Sequence, residues 1–265
     1  SQKRINEFLD QQPEIENPVA ESKPVSLEGA IKFNDVSFTY PDTGIQAIKD
    51  FSLKLEPGQK LAIVGKTGSG KTTIADLLLR MYDVSEGAIT IDGKDLREHD
   101  LANLRQRIGY VPQDVFLFSD TVGNNIAFGR RSASREEVEQ FARYASVYED
   151  ISGLKEGFDT MVGERGVTLS GGQKQRVSIA RALIKHPDII ILDDCLSAVD
   201  TNTEKDILGY FNEFLAEKTT IIITHRIYSL LTFDKIIVIE DGSIVEEGTH
   251  QELLDLKGYY FDMYE

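Results

Sequence analysis

Gly65-Lys66-Thr67-Gly68-Ser69-Gly70-Lys71-Thr72 is the stretch whose reading decides the fold. The apolar run Leu61-Ala62-Ile63-Val64 precedes it and reads as a buried strand. Residues 73–82 follow and read as a helix. Between a strand and a helix, G-x-x-x-x-G-K-[ST] makes a phosphate-binding loop; elsewhere it is a Gly-rich turn that binds nothing. Glycine lets the backbone wrap closely round an anion, because a Cβ would clash at the positive φ values required. Successive N–H groups and the helix N-terminus then point at the phosphates. Lys71 can reach the β- and γ-phosphates, and the Thr72 hydroxyl suits Mg²⁺. The candidate nucleotide-binding set is Gly65, Lys66, Thr67, Gly68, Ser69, Gly70, Lys71, Thr72 and Thr73.

The 265 residues suffice for one large domain or a domain with an inserted lobe. With 41% hydrophobic and 28% charged residues, a full core can form. A formal net charge of −15 argues against holding nucleic acid or anionic lipid through the overall field. The single cysteine, Cys195, cannot form an intrachain disulfide, which fits a reducing compartment. It follows an apolar run and reads as a small buried hydrophobe. No apolar run nears the ~20 residues of a membrane helix, and no signal peptide is visible. A chain opening on Ser1 reads as a piece of a longer or processed protein.

Residues 1–29 read as a linker, with a short helical stripe at Ile5, Phe8 and Leu9 before a Pro-containing polar run. The domain occupies 30–265. Alternating strands appear around 31–38 and 48–55, and another short strand at 88–93. Residues 100–107 read as a short helix with Leu101 and Leu104 inward, and 108–113 as a strand entering a loop. From about 116 to 185 the pattern turns helical, with segments at 121–128, 134–144 and 171–184. Ser134 and Glu137 fit a capping box. This block predicts an inserted helical lobe. The continuous apolar runs 189–192 and 220–223 predict parallel strands covered on both faces, with a helix at 203–215 between them. Residues 235–239 and 243–245 flank a hairpin signal at Glu240-Asp241-Gly242, and a closing helix begins near Gln251.

Two further stretches carry chemistry. Asp193 follows the 189–192 run; a carboxylate at the C-terminal end of a buried parallel strand sits where α/β sheets bind ligands. Beside a phosphate loop its role is to hold Mg²⁺; alone it would be a strand-end turn residue. Leu169-Ser170-Gly171-Gly172-Gln173-Lys174-Gln175-Arg176 opens a helix with an apolar stripe. Alone it would be an ordinary Ser-capped helix; with the loop present it becomes a second anion site at a helix N-terminus.

The loop, the 169–173 string and the Asp193 strand together resemble the ATP-binding cassette (ABC) ATPases, over a span from about Ile31 to the C-terminus. The resemblance implies an α/β fold: a P-loop NTPase core with a mostly parallel sheet, an N-terminal antiparallel β subdomain and an α-helical subdomain at about 116–185. It implies ATP and Mg²⁺ as ligands, with Thr72, Gln113 and Asp193 on the metal and Tyr40 stacked on adenine. In that family two cassettes pair head to tail, so Ser170, Gly171, Gly172 and Gln173 would touch a nucleotide held by the partner. Ser197 and Asp200 would lie in the loop crossing the dimer interface, and His225 would be the switch histidine near the γ-phosphate. Residues 160–166 resemble an exporter-type coupling loop, and 4–10 the connection after a last membrane helix. The implied whole is the nucleotide-binding domain of a half-transporter, partnered by a second such domain and by a transmembrane domain, at the cytoplasmic face of the cell (inner) membrane. No nucleic-acid partner is implied. The acidic charge and the coupling loop count against a DNA-repair or ribosome-associated relative.

One position departs from the family. The residue after the strand-end Asp is usually glutamate, which polarises the attacking water; here it is Asp194. Its reach is shorter by up to about 1.5 Å. General-base geometry works within about 2.6–3.2 Å, and a misplacement near 1 Å can cost on the order of a hundredfold. The expectation is the weaker-hydrolysing half of a heterodimeric exporter. A slow homodimer and a binding-only regulatory cassette are the alternatives.

Overall fold

The β-branched runs read as central strands are central strands. The computed structural model describes residues 15–17, 25–163, 167–225 and 232–264. The helical stripe and connection in residues 1–14, linker residues 18–24 and Glu164–Gly166 of the coupling loop lie outside the described residues.

The elements run, in order, β1 (Ile31–Thr39), β2 (Gln46–Leu55), β3 (Lys60–Val64), α1 (Lys71–Leu78), β4 (Glu86–Ile91), β5 (Lys94–Asp95), a 3₁₀ turn, α2 (Leu101–Arg107) and β6 (Ile108–Val111). Next come α3 (Val122–Ala127), α4 (Arg135–Tyr144), α5 (Tyr148–Ser152), a second 3₁₀ turn and α6 (Gly171–Leu183). The chain closes with β7 (Ile189–Asp193), α7 (Thr201–Phe214), β8 (Thr219–Ile223), β9 (Lys235–Glu240), β10 (Ser243–Gly248), α8 (His250–Leu256) and α9 (Tyr259–Tyr264). No helix among the described residues is long and apolar enough to cross a membrane.

Two sheets form. The first, ordered β2-β1-β4-β5, is antiparallel. The second, β10-β9-β3-β8-β7-β6, is parallel except for β10, which pairs antiparallel to β9 at one edge. Strand alternation covers both faces of the second sheet. Ile189 and Ile191 of β7, with Ile221 and Ile223 of β8, pack with Phe33, Phe51, Ile74 and Leu77 beneath the antiparallel sheet. Their neighbours Ile190, Leu192 and Ile222 face the other way, onto Phe141, Val177 and Phe211 of the helical side. A strand buried on both faces has no polar position to spare, so its sequence is a continuous apolar run.

The helices differ from the sequence reading in several places. The helix after the loop spans Lys71–Leu78, not 73–82. It starts directly on Gly70 and stops because Arg80 turns left-handed at φ 48°. Arg105 caps this end by donating to the Leu79 and Arg80 carbonyls. The 203–215 helix begins earlier, at Thr201, because the Asp200 carboxylate accepts from the Asn202 and Thr203 N–H groups. The short helices α5 and α9 carry no strong apolar periodicity and were not foreseen.

Candidate nucleotide site

β3 delivers the loop and α1 receives it. Gly65 sits at φ 150°, where a Cβ would lie 2.2 Å from the Ile239 carbonyl oxygen of β9. Gly70, the N-cap of α1, has φ 103°, and its Cβ would lie 2.5 Å from the Ala47 carbonyl oxygen. Both positions demand glycine twice, through backbone conformation and through close approach of a neighbouring chain. The first N–H groups of α1 have no intrahelical acceptor.

The Lys71 ammonium is buried and donates to the Gly65 and Lys66 carbonyls at 2.8 and 2.7 Å. Burial lowers its pKa, against the pull of Asp193 and Asp194. The Thr72 hydroxyl donates to Asp193 Oδ2 at 2.8 Å, joining residues 121 positions apart. Asp193 is 1% exposed, and burial raises its pKa against the Thr72 hydrogen bond and the Lys71 charge. Ser69 Oγ is buried without a hydrogen-bond partner among the described residues. An orphaned donor of this kind in a ring of N–H groups fits an anionic ligand.

Gly70, Lys71, Thr72 and Asp193 open onto one cleft of about 490 Å³, within the range of small-molecule sites, while Gly65, Lys66 and Ser69 are not among its walls. Its walls include Tyr40, Thr67, Gly68, Gly70, Lys71, Thr72, Thr73, Gln113, Asp193 and His225. The Tyr40 hydroxyl shares a 2.9 Å hydrogen bond with Thr73 Oγ1, and Phe38 and Tyr82 meet its ring edge-on at 4.9 and 5.4 Å. Burial raises the Tyr40 pKa, with the Thr73 hydrogen bond acting the other way. The cleft also holds residues that the sequence reading missed: Gln46, Ala47, Lys49, Asp241 and Gly242. The β9–β10 turn underlies the loop, with Gly242 N donating to the Ser69 carbonyl at 3.1 Å. The turn signal was readable; its seat under the loop comes from β9 lying beside β3.

Thr72 and Asp193, joined by a hydrogen bond, and Gln113 in the same cleft offer hard oxygen donors, the donor type that Mg²⁺ takes. Asp76, one turn beyond Thr72, is also an unforeseen member of this region. Burial and the Asp193 charge push its pKa up to about 6.

Other candidate residues lie outside the cleft. Asp194 is 8% exposed, adopts φ 44° and donates its N–H to the Ile223 carbonyl at 2.8 Å. A left-handed aspartate costs energy, and such strain gathers at functional sites. Its carboxylate is not among the cleft walls, whereas the adjacent Asp193 is. The Asp194 carbonyl accepts from the Ser197 hydroxyl at 2.9 Å. Ser170 caps α6 in a reciprocal box with Gln173. Gly172 meets the 197–200 segment so closely that a Cβ would lie 2.7 Å from the Ala198 carbonyl oxygen. Gln175 ties the two together, accepting from Ala198 N and donating to Ser197 Oγ at 3.2 and 3.4 Å. Ser170, Gly171, Gly172, Gln173, Ser197 and Asp200 all lie outside the walls of the Lys71 cleft, and the start of α6 packs on residues 197–198. In the described part of the 160–166 stretch, Val122 N donates to the Thr160 carbonyl and Met161 bridges Thr121.

A family model described as ABC transporter matches residues 48–197, more than half of the chain. The ATP-dependent lipid A-core flippase of Escherichia coli (strain K12) is 46% identical over 237 residues, covering 89% of this chain and 41% of that protein. The flippase of the same name from Shigella flexneri matches at the same identity and coverage. A solved structure described as a bacterial Atm1-family ABC exporter with ATP bound superposes with a TM-score of 0.92 at 42% identity, covering 99% of this chain and 46% of that one. The chain therefore spans less than half the length of these relatives. By its loop, its strand-end carboxylate, its capped Ser170 helix and these matches, the chain belongs to the ABC transporter family.

Proposed function

We propose that this chain is the ATP-binding and ATP-hydrolysing motor domain of an ABC exporter, driving export by nucleotide-dependent pairing with a second cassette. The observation that carries this reading is that the Lys71 cleft does not include the capped N-terminus of the Ser170 helix. One chain then offers half of each of two sites, which suits a head-to-tail pair in which Ser170, Gly171, Gly172 and Gln173 cover the nucleotide of the other copy. The further partner is a transmembrane domain of the same transporter, at the cytoplasmic face of the inner membrane.

In this reading Tyr40 presents its ring to adenine, and the N–H groups from Gly68 to Thr73 take the phosphates. Lys71 exchanges two loop carbonyls for β- and γ-phosphate oxygens. Thr72, Asp193 and Gln113 would hold Mg²⁺, which would supply neutralising charge. His225, in the cleft wall, would donate to the γ-phosphate. Asp194, next to the strand-end Asp193, would orient the attacking water for in-line displacement. Its short side chain and its absence from the cleft walls support a slow site of its own, so that the chain acts as the weaker-hydrolysing half of a heterodimer.

The test is ATP binding and steady-state hydrolysis by the purified chain and its Lys71→Ala and Asp194→Glu variants. Lys71→Ala should weaken ATP binding on the order of a hundredfold, the value of charge-assisted contacts to phosphate. Asp194→Glu should raise turnover by ten- to a hundredfold, roughly the misplacement cost of a base. Unchanged binding in the lysine variant overturns the nucleotide site. Brisk turnover by the parent with no gain from glutamate replaces the heterodimer reading with the homodimer. No turnover in parent and variant, even with a partner cassette, points to the regulatory reading.

A further inference from the structure

The first turn of α6 is held by a residue outside the Ser170 string. Gln173 closes the cap with both ends of its amide. Its Oε1 accepts from Ser170 N at 2.9 Å, and its Nε2 donates to Asp150 Oδ1 at 2.9 Å. The other Asp150 oxygen, Oδ2, accepts from Arg176 Nη1 at 2.8 Å. Arg176, with a side chain 12% exposed, also donates to the carbonyls of Gly172 and Ser146. One carboxylate on α5 therefore grips the cap residue and the arginine that braces the next turn.

An amide has nearly identical ends, and its orientation is set by its partners. A carboxylate accepts only, so Asp150 demands the NH₂ end and leaves Oε1 for Ser170 N. Without that demand the amide is free to turn, and its NH₂ would then meet the Ser170 N–H, donor against donor. Ser170 Oγ accepts from Gln173 N at 3.2 Å, so the hydroxyl keeps its proton for a ligand. A negative charge beside an anion-binding turn would repel phosphate; pairing with Arg176 offsets this.

We infer that Asp150 is a positioning residue for nucleotide bound in trans: it fixes the Gln173 amide and Arg176 so that Ser170 and Gly172 present a set donor array to the partner copy's ATP. This rests on the head-to-tail pairing proposed above. Asparagine cannot do the same work, since its two ends offer one acceptor and one donor to two donors. Glutamate keeps both acceptors, and Asp150 sits at a 34% exposed position that can take one more methylene.

The experiment compares parent, Asp150→Asn and Asp150→Glu by light scattering in ATP with EDTA, which blocks turnover. ATP affinity of the monomer is measured in parallel. Asp150→Asn should need roughly tenfold more chain to pair, the loss of about one charge-assisted hydrogen bond. Asp150→Glu should pair like the parent, and monomer affinity should stay within about twofold in all three. Pairing by Asp150→Asn at the parent's concentration overturns the inference. So do equal defects in both variants, or a loss of monomer ATP affinity that matches the loss of pairing, because each marks a role in folding alone. A parent that binds ATP and never pairs, either with itself or with a second exporter cassette carrying glutamate after its strand-end Asp, refutes the head-to-tail reading itself, and the Asp150 role falls with it.

Discussion

Gly171 and Gly172 are adjacent, both helical, and differ in what surrounds them. A Cβ on Gly171 would meet only the Ala198 Cβ, at an ordinary 3.9 Å. A Cβ on Gly172 would lie 2.7 Å from the Ala198 carbonyl oxygen, so about 0.7 Å of separation is needed to reach an ordinary 3.4 Å contact. That segment cannot drift freely. Ala198 N is tied to Gln175, and Ser197 Oγ to the Asp194 carbonyl. Gly→Ala in a helix gains up to about 1 kcal/mol of propensity at either position. This gain cancels between the two variants. The remainder is the overpacking cost at Gly172, about 1–3 kcal/mol. At roughly 2–4 °C per kcal/mol for a domain of this size, Gly172→Ala should melt about 2–12 °C below Gly171→Ala. Thermal unfolding of the two variants side by side, without nucleotide, reads the difference directly. Coincident melting, or a higher midpoint for Gly172→Ala, would refute the claim that the first turn of α6 is clamped against the 197–200 segment.

Asp76 and Cys195 give two further tests. The folded pKa of Asp76, about 6, lies above an ordinary carboxylate value, so its ionised form costs stability. The penalty is absent below about pH 4, grows as pH rises to about 6 and is constant above that. Asp76→Asn should therefore stabilise the chain at pH 7.5 by about 1–2 kcal/mol, after discounting for partial exposure, and leave it unchanged near pH 4. Urea unfolding at both pH values checks this, and equal effects at the two would sink it. Cys195 is 3% exposed, and burial pushes its thiol pKa far up. A thiol reagent at pH 8 should label it only as fast as the chain unfolds; rapid labelling of the native protein would contradict its burial.

The phosphate loop was legible in the sequence because its physics is local. Glycine spacing, one lysine and one threonine between a β-branched run and a helix leave few other conformations. The apolar runs at 189–192 and 220–223 declared parallel strands for a similar reason, since burial on both faces removes every polar position. The Ser134 and Ser170 caps were equally local, each closed by a side chain three residues on. What the sequence left open depends on chain segments far apart in number. Strand register alone sets Asp193 against Thr72, and β9 beside β3 carries Asp241 and Gly242 under the loop. The end of α1 was misread because Arg105, from another helix, caps its last carbonyls. Sequence alone thus determined that a phosphate-type loop lies at Gly65–Thr72 between a strand and a helix, and that a second capped turn opens at Ser170. Only the tertiary structure decided that the Ser170 turn lies outside the Lys71 cleft and that Asp193, not Asp194, lines that cleft. Side-chain direction at a strand end follows from which neighbours the strand pairs with, and no local spacing encodes that.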